Sequence, residues 1–148
     1  MSIKSTNPAS NKVVKTFEEM TEEGLEKAVA QSAATFKEWK MTDYKKRAET
    51  LHKVAGLLRE KKKDLAKMVT MEMGKLVAQA ESEIKLSAEI FDYYANNAQS
   101  FLADTILSPS QGEAIIRHSP IGVLLGVQPW NFPFYQVARF AAPNIMVG

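Results

Sequence analysis

The sequence predicts an α/β fold, in which a small hairpin and a helical layer lead into the first strand and helix of a parallel sheet. Residues 1–104 carry 17 of the 19 basic and 16 of the 17 acidic residues, in patterns typical of amphipathic helices. Residues 105–148 carry five of the six prolines, four of the seven glycines and long apolar runs, which favours buried strands separated by turns. A single strand–helix unit cannot form a doubly wound sheet, so we expect an incomplete fold.

The composition excludes several classes of protein. The chain has 148 residues, is 45% hydrophobic and carries a net charge of only +2, which excludes a disordered chain and a typical nucleic-acid binder. It has no cysteine, so these residues hold no disulfide, thiolate zinc site or cysteine nucleophile, and its two distant histidines argue against a metal site. No run reaches the ~18 apolar residues of a membrane span, and the start is not typical of a signal peptide. We therefore expect no membrane partner and a cytoplasmic location.

The first half predicts one hairpin and four helices. Residues 3–5 and 13–17 favour two short strands around an Asn- and Pro-containing turn at 7–11. Thr21 and Asp43 are typical helix caps, and apolar residues follow each of them at three-to-four spacing.

The sequence also predicts where the second, third and fourth helices end. The lysines at 61–63 indicate the C-terminal end of the second helix, where cations are favoured. Gly74 can stop the third helix, and the fourth runs from about residue 76 to about residue 102 without Gly or Pro.

The second half predicts strands and one further helix. Residues 114–118 favour a strand, and the continuous apolar run at 121–127 is typical of a strand buried on both faces. Residues 128–133 then form a sharp turn, and Pro133 suits the first turn of a following helix. Pro143 is expected to kink or interrupt that helix.

The turn at 128–133 is the candidate site. Ligands of open parallel sheets bind beyond the carboxyl ends of the strands, where this turn lies. Its backbone can meet a cofactor, and Asn131 offers an amide donor. The alternative is a rigid turn in which Trp130 serves only for packing. Gly122 and Gly126 do not form the usual dinucleotide fingerprint.

Residues 120–133, PIGVLLGVQPWNFP, resemble the signature strand and turn of the aldehyde dehydrogenase superfamily. The resemblance covers the whole chain, since the Ala142-Pro143 pair, Gly148 and the upstream motifs FKEW (36–39) and MEMGK (71–75) also match. Residues 132–139 are most similar to the succinate-semialdehyde dehydrogenase branch.

The resemblance implies an activity for the protein and a division of the chain into three structural parts. Members oxidise aldehydes with NAD or NADP through a thiohemiacetal and a thioester on a cysteine. Residues 1–107 then correspond to the helical part of the cofactor-binding domain, and 108–120 to strands used in oligomerisation, in a homodimer or homotetramer. Residues 121–148 correspond to the first βα unit of the Rossmann-like NAD(P)-binding sheet.

The resemblance also implies residue roles. The amide matching Asn131 stabilises the oxyanion, and the backbone matching Val127, Gln128, Pro129 and Trp130 lines the ribose–pyrophosphate groove of the cofactor. In the family, the nucleophilic cysteine, the general-base glutamate and the lysine that meets the adenosine ribose lie downstream of the position of residue 148. These residues alone are therefore not expected to complete the reaction.

The spacing after Asn131 suggests the substrate. In a helix from Pro133, Tyr135 and Arg139 lie one turn apart below Asn131, and a guanidinium in apolar surroundings needs an anion. We expect Phe132, Tyr135 and Arg139 to contact a small aldehyde bearing a carboxylate, as in succinate semialdehyde, because arginine binds carboxylates bidentately. The branch that the segment resembles has an arginine at this offset. The alternative is an internal salt bridge of Arg139.

Two classes of function stay open. The first is an NAD(P)-dependent aldehyde dehydrogenase of which this is the N-terminal portion. The second is a truncated non-catalytic module, or a helical interaction domain of the same ancestry. The intact mass of the native protein separates them, since 16.5 kDa indicates the module and a mass about three times larger indicates the enzyme.

Overall fold

The computed structural model describes residues 2–148 as five helices and two β-hairpins. In chain order the elements are β1 (Ile3–Asn7), β2 (Lys12–Phe17), α1 (Glu22–Trp39), α2 (Tyr44–Glu60), α3 (Lys62–Met73), α4 (Val77–Phe101), β3 (Thr105–Leu107), β4 (Ala114–Ile116) and α5 (Pro133–Val147). Among these helices, none combines the length and the hydropathy needed to cross a membrane.

The N-terminal hairpin is confirmed. Strands β1 and β2 pair antiparallel, with Ile3 opposite Phe17 and Asn7 opposite Lys12. In the turn, the Asn7 side chain accepts a hydrogen bond of 2.9 Å from the Ala9 amide, and Asn11 adopts a left-handed φ of 55°. Asparagine tolerates this conformation better than most residues, so the local sequence specifies the turn.

The helix ends follow the predicted caps, with one correction. The Thr21 and Asp43 side chains accept hydrogen bonds from the backbone of α1 and α2, and Gly74 ends α3 with a φ of 76°. The prediction that the lysines at 61–63 all lie at the end of α2 is wrong, because α3 begins at Lys62. Lys62 tolerates this first turn because its ammonium group forms an ion pair of 3.0 Å with Glu81 of α4.

The core lies around α4, which packs against α2, α3 and α5. Small side chains dominate the contacts, which lets the helix axes approach closely. The buried apolar residues of the larger cluster are Leu51, Ala55, Ala88, Phe91, Ala98, Ala138, Ala142 and Met146. A second cluster joins α3 to α4 through Ala66, Val69, Ala80 and Ile84. Because α5 is held against α4 along its length, the turn before Pro133 has a fixed position.

The second hairpin, β3–β4, differs from the prediction in length. The strand expected at 114–118 is shorter, Ala114–Ile116, and it pairs with β3, a strand that the sequence analysis missed. Arg117 Nη2 lies 2.5 Å from the Asp104 carboxylate at the base of the hairpin. The hydrogen bond from Arg117 lowers the pKa of the Asp104 carboxyl below its usual value.

The predicted buried strand at 121–127 is wrong for this structure. These residues form no strand, and Ile121 and Leu125 are 86% and 87% exposed. A strand buried on both faces requires neighbours that take up its N–H and C=O groups. The four strands of residues 2–148 lie in the two antiparallel hairpins, and none of them pairs with 121–127. A Rossmann-like parallel sheet is therefore not confirmed.

Of the two outcomes predicted at Pro143, the interruption is wrong, because α5 continues from Pro133 to Val147, and the kink stays a prediction. Proline removes one helical hydrogen bond and crowds the preceding turn. On either side of it, Ala142 and Met146 are fully buried against α2 and α4. This packing outweighs the loss of one backbone hydrogen bond.

Arg47 joins the C-terminal ends of α1 and α5. Its guanidinium is buried and donates to the carbonyl oxygens of Met146 and Val147 at 3.0 and 2.9 Å, and to those of Trp39 and Lys40 at 3.3 and 3.0 Å. The last carbonyl groups of a helix have no partner within the helix, and a cation there is favourable. Arg47 therefore satisfies two helix ends at once.

Replacing Arg47 by methionine should lower the free energy of unfolding by about 3 kcal/mol, because four buried or partly buried carbonyl groups lose this donor. Chemical denaturation measures this change. Lys53→Met is the matched control on the same helix: Lys53 is exposed, and its replacement should change stability by less than about 0.5 kcal/mol. Equal effects of the two variants would contradict this role of Arg47.

Candidate functional site

The turn that carries Asn131 leads directly into α5. Pro133 occupies the first turn of the helix, where its missing N–H is not required. Asn131 is exposed, and within residues 2–148 its side-chain amide forms no hydrogen bond. Its backbone carbonyl, in contrast, accepts a hydrogen bond of 2.9 Å from Lys75 Nζ. The backbone is therefore held while the side-chain amide is free to meet a ligand.

Glu83 of α4 caps the N-terminus of α5. One carboxylate oxygen, Oε1, accepts hydrogen bonds from the backbone amides of Phe134 at 2.9 Å and Tyr135 at 3.2 Å. A carboxylate is favoured there because the first amides of a helix lack partners and carry partial positive charge. The Glu83 side chain is only 1% exposed, so this cap belongs to the interior.

Lys75 completes the arrangement. Its ammonium group forms an ion pair with Glu83 Oε2 and lies 3.6 Å from the centre of the Phe132 ring. The side chain is 7% exposed. One cation thus contacts the cap of α5, the carbonyl of Asn131 and the ring of Phe132.

The sequence analysis missed Lys75 and Glu83 as site residues. A signal was present for Glu83, because it falls on the apolar stripe of α4 together with Ala80, Ile84 and Ser87, all of them buried. A charged residue on a buried stripe requires a partner. Lys75 lies just after the end of α3, and its partners are eight and 56 residues away, so no local pattern identifies it.

Tyr135 and Arg139 lie one turn apart on α5, as predicted. The Arg139 guanidinium carbon lies 5.6 Å from the centre of the Tyr135 ring, and the Tyr135 ring lies 6.1 Å from that of Phe132. Arg139 is exposed and forms no ion pair in the part of the chain that the structure describes. The internal salt bridge considered as the alternative is therefore not present among residues 2–148.

The segment predicted to meet the cofactor is open. Val127 and Trp130 are 83% and 74% exposed, so Trp130 does not pack into a core formed by residues 2–148. Within that range, no backbone hydrogen bond joins residues 127–130 to the rest of the chain. Gln128 lines the same open cavity as Arg139. The backbone groups of this exposed turn are therefore free to bind a ligand.

Other sequence features have structural roles. The Trp39 indole donates a hydrogen bond of 3.0 Å to the carbonyl of Ile145, and so links α1 to α5.

His52 Nδ1 lies 2.6 Å from the carboxylate of Asp92, which Arg59 also contacts. Burial raises the pKa of Asp92, but the hydrogen bonds from Arg59 and His52 outweigh it and lower the pKa overall. Among the described residues, no cluster of three His, Asp or Glu side chains could hold a metal ion.

Comparison with known proteins identifies the class. The model of the aldehyde dehydrogenase family matches residues 1–148, and the chain belongs to this family.

Several similar proteins share one name. The chain is 40% identical over 144 residues to the succinate-semialdehyde dehydrogenase [NADP(+)] of Deinococcus radiodurans, covering 97% of this chain and 30% of that protein. It is 40% identical over 152 residues to succinate-semialdehyde dehydrogenase [NADP(+)] 1 of Mycobacterium ulcerans, covering 100% of this chain and 33% of that protein. The chain thus spans about a third of the length of these curated relatives.

A solved structure of similar sequence confirms the fold of the segment. The succinic semialdehyde dehydrogenase of Streptococcus pyogenes, solved in complex with NADP+, superposes with a TM-score of 0.94 at 40% sequence identity. The match covers 98% of this chain and 32% of that one. The arrangement of helices and hairpins described above is therefore a segment of the aldehyde dehydrogenase fold.

Proposed function

We propose that the chain is the N-terminal part of an enzyme that oxidises succinate semialdehyde to succinate with NADP+. The observation that carries the proposal is the exposed guanidinium of Arg139, which has no ion-pair partner among residues 2–148. Arg139 lies on α5, the helix that begins directly after the turn carrying Asn131. The names of the Deinococcus, Mycobacterium and Streptococcus proteins support both the substrate and the cofactor.

Each side chain of the site has a proposed role. The Asn131 amide donates a hydrogen bond to the aldehyde oxygen as that oxygen gains charge on nucleophilic addition. Arg139 binds the carboxylate at the other end of the four-carbon substrate through two parallel hydrogen bonds. Phe132 and Tyr135, whose rings contact each other, flank the carbon chain between them.

Residues 127–130 are proposed to hold part of the cofactor. Their exposed backbone offers hydrogen-bond donors and acceptors to the ribose and pyrophosphate, and Trp130 offers an apolar face. A bound NADP+ would supply the acceptor for the hydride that the oxidation of the aldehyde releases. NAD+ is the alternative cofactor, because a protein that shares the fold, the betaine aldehyde dehydrogenase of Staphylococcus aureus, is solved with it in two variants.

The division of the chain is proposed on the same basis. Residues 1–107 form the helical part of the cofactor-binding domain, and 108–120 contribute to oligomerisation. Residues 121–148 form the first βα unit only in the complete enzyme, where strands from outside residues 2–148 can pair with 121–127. Exposed apolar side chains on the β3–β4 hairpin, which includes most of residues 108–120, support a homo-oligomeric interface; they are Ile106, Leu107, Ile115 and Ile116. A dimer or tetramer and a cytoplasmic location stay predictions.

The direct test is the reaction of the complete enzyme that contains this segment. With succinate semialdehyde and NADP+, it should form NADPH and succinate in equal amounts, measured by absorbance and by chromatography. Turnover of other aldehydes without succinate semialdehyde would contradict the substrate. No turnover of any aldehyde would favour the alternative of a non-catalytic module.

The 148-residue chain on its own should show no turnover. The proposed covalent oxidation of the aldehyde uses a thiolate nucleophile, and the chain has no cysteine. The exposed apolar residues of 121–127 should also make it prone to aggregation. NADPH formation by the purified chain would contradict the proposed mechanism, and a monodisperse, cooperatively melting chain would contradict the expected aggregation.

A further inference from the structure

Two buried opposite charges lie directly beneath the turn that carries Asn131. Lys75 and Glu83 form an ion pair in which neither side chain is more than 7% exposed. Removing two charges from water is costly, and a buried pair is often no more stable than apolar residues of the same volume. General stability therefore does not explain why a charged pair occupies this place.

The hydrogen bonds of the pair show what it does locally. Glu83 Oε1 holds the amides of Phe134 and Tyr135, so it fixes the start of α5. Lys75 Nζ holds the carbonyl of Asn131, so it fixes the residue just before that helix. The two contacts lie on either side of Pro133 and are tied to each other by the ion pair. Together they set the direction in which the Asn131 backbone presents its side chain.

We propose that Lys75 and Glu83 are positioning residues that hold the Asn131 amide where the oxyanion forms. This inference rests on the proposed function of Asn131. Neither residue touches the substrate in this role. Each acts through the backbone of residues 131–135. The charged pair suits this role because Glu83 accepts hydrogen bonds from the helix amides, while Lys75 donates one to the carbonyl of Asn131.

The test uses Glu83→Gln and Lys75→Met in the complete enzyme. In Glu83→Gln, the side-chain amide oxygen can still accept hydrogen bonds from the backbone of α5, but the ion pair with Lys75 is lost. In Lys75→Met, the apolar part of the side chain is kept and the charge is lost. Misplacement of a catalytic group by about 1 Å costs about 100-fold in rate, so we expect kcat to fall about 10- to 100-fold. The KM for NADP+ should change by less than about threefold, because the cofactor contacts are separate. Lys75→Arg, which keeps the charge and the donors, should recover most of the lost kcat.

A neighbouring ion pair provides the matched control. Lys62 of α3 pairs with Glu81 of α4, two residues before Glu83, but their side chains are 38% and 31% exposed and do not contact the turn at 128–133. Lys62→Met and Glu81→Gln should leave kcat unchanged. If these variants lower kcat as much as Lys75→Met and Glu83→Gln do, the effect is a general loss of packing between α3 and α4 and the inference is overturned.

A double variant separates this inference from the proposed function. Added to Asn131→Ala, Glu83→Gln should lower kcat little further, because both changes remove the same interaction. Multiplied losses would overturn positioning through Asn131 while leaving the proposed function intact. If Asn131→Ala itself leaves kcat unchanged, the proposed role of Asn131 fails and this inference fails with it, whereas turnover of succinate semialdehyde still tests the rest of the proposed function.

Discussion

Replacing Asn131 by alanine in the complete enzyme should lower kcat by about 100-fold or more. Loss of one oxyanion donor typically costs about 3 kcal/mol in the transition state. The Asn131 amide has no partner among residues 2–148, while its backbone is anchored by Lys75, so the substitution removes a free donor without removing a structural contact. The KM for NADP+ should change little. Steady-state kinetics with succinate semialdehyde measures both quantities.

The matched control is Asn96→Ala. Asn96 is an exposed asparagine on α4, and its replacement should not change kcat. An unchanged kcat for Asn131→Ala would remove Asn131 from the site. A large rise in the KM for NADP+ with an unchanged kcat would make Asn131 a cofactor ligand instead.

Replacing Arg139 by alanine should raise the KM for succinate semialdehyde by about 30-fold or more. Truncating one partner of a hydrogen-bonded charge pair costs about 2 kcal/mol or more, which corresponds to this factor. The KM for butanal, which has the same four carbons but no carboxylate, should hardly change. Arg139→Lys should recover only part of the loss, because an ammonium group cannot form the two parallel hydrogen bonds.

The pair of substrates is the internal control, since a distorted site would weaken the binding of both. Arg59→Ala is a control for charge, because Arg59 lies on α2 and pairs with Asp92. An equal rise in KM for the two aldehydes in Arg139→Ala would contradict a contact between Arg139 and the substrate carboxylate.

Local signals account for the parts of the fold that the sequence predicted correctly. Thr21, Asp43, Gly74 and Pro133 each fix a helix end through their own side chain or backbone. The hairpin at residues 3–17 depends on a turn a few residues long. Such features require no knowledge of the rest of the molecule.

Features that depend on distant partners were not predictable in the same way. The run at 121–127 has the composition of a buried strand, but composition does not supply the neighbouring strands, and residues 2–148 contain none that pair with it. Pro143 stays within α5 because packing on α4 outweighs the local cost. The contact of Lys75 with Asn131 joins residues 56 positions apart, so only the folded structure reveals it.

The proposed function is that of an enzyme that recognises an aldehyde by a carboxylate at its other end. The most direct test is the ratio of kcat/KM for succinate semialdehyde to kcat/KM for butanal, measured with the unmodified complete enzyme and NADP+. A charge pair of the strength expected for Arg139, about 2 kcal/mol or more, predicts a ratio of about 30 or more. A ratio near one, or a preference for butanal, would contradict this proposal.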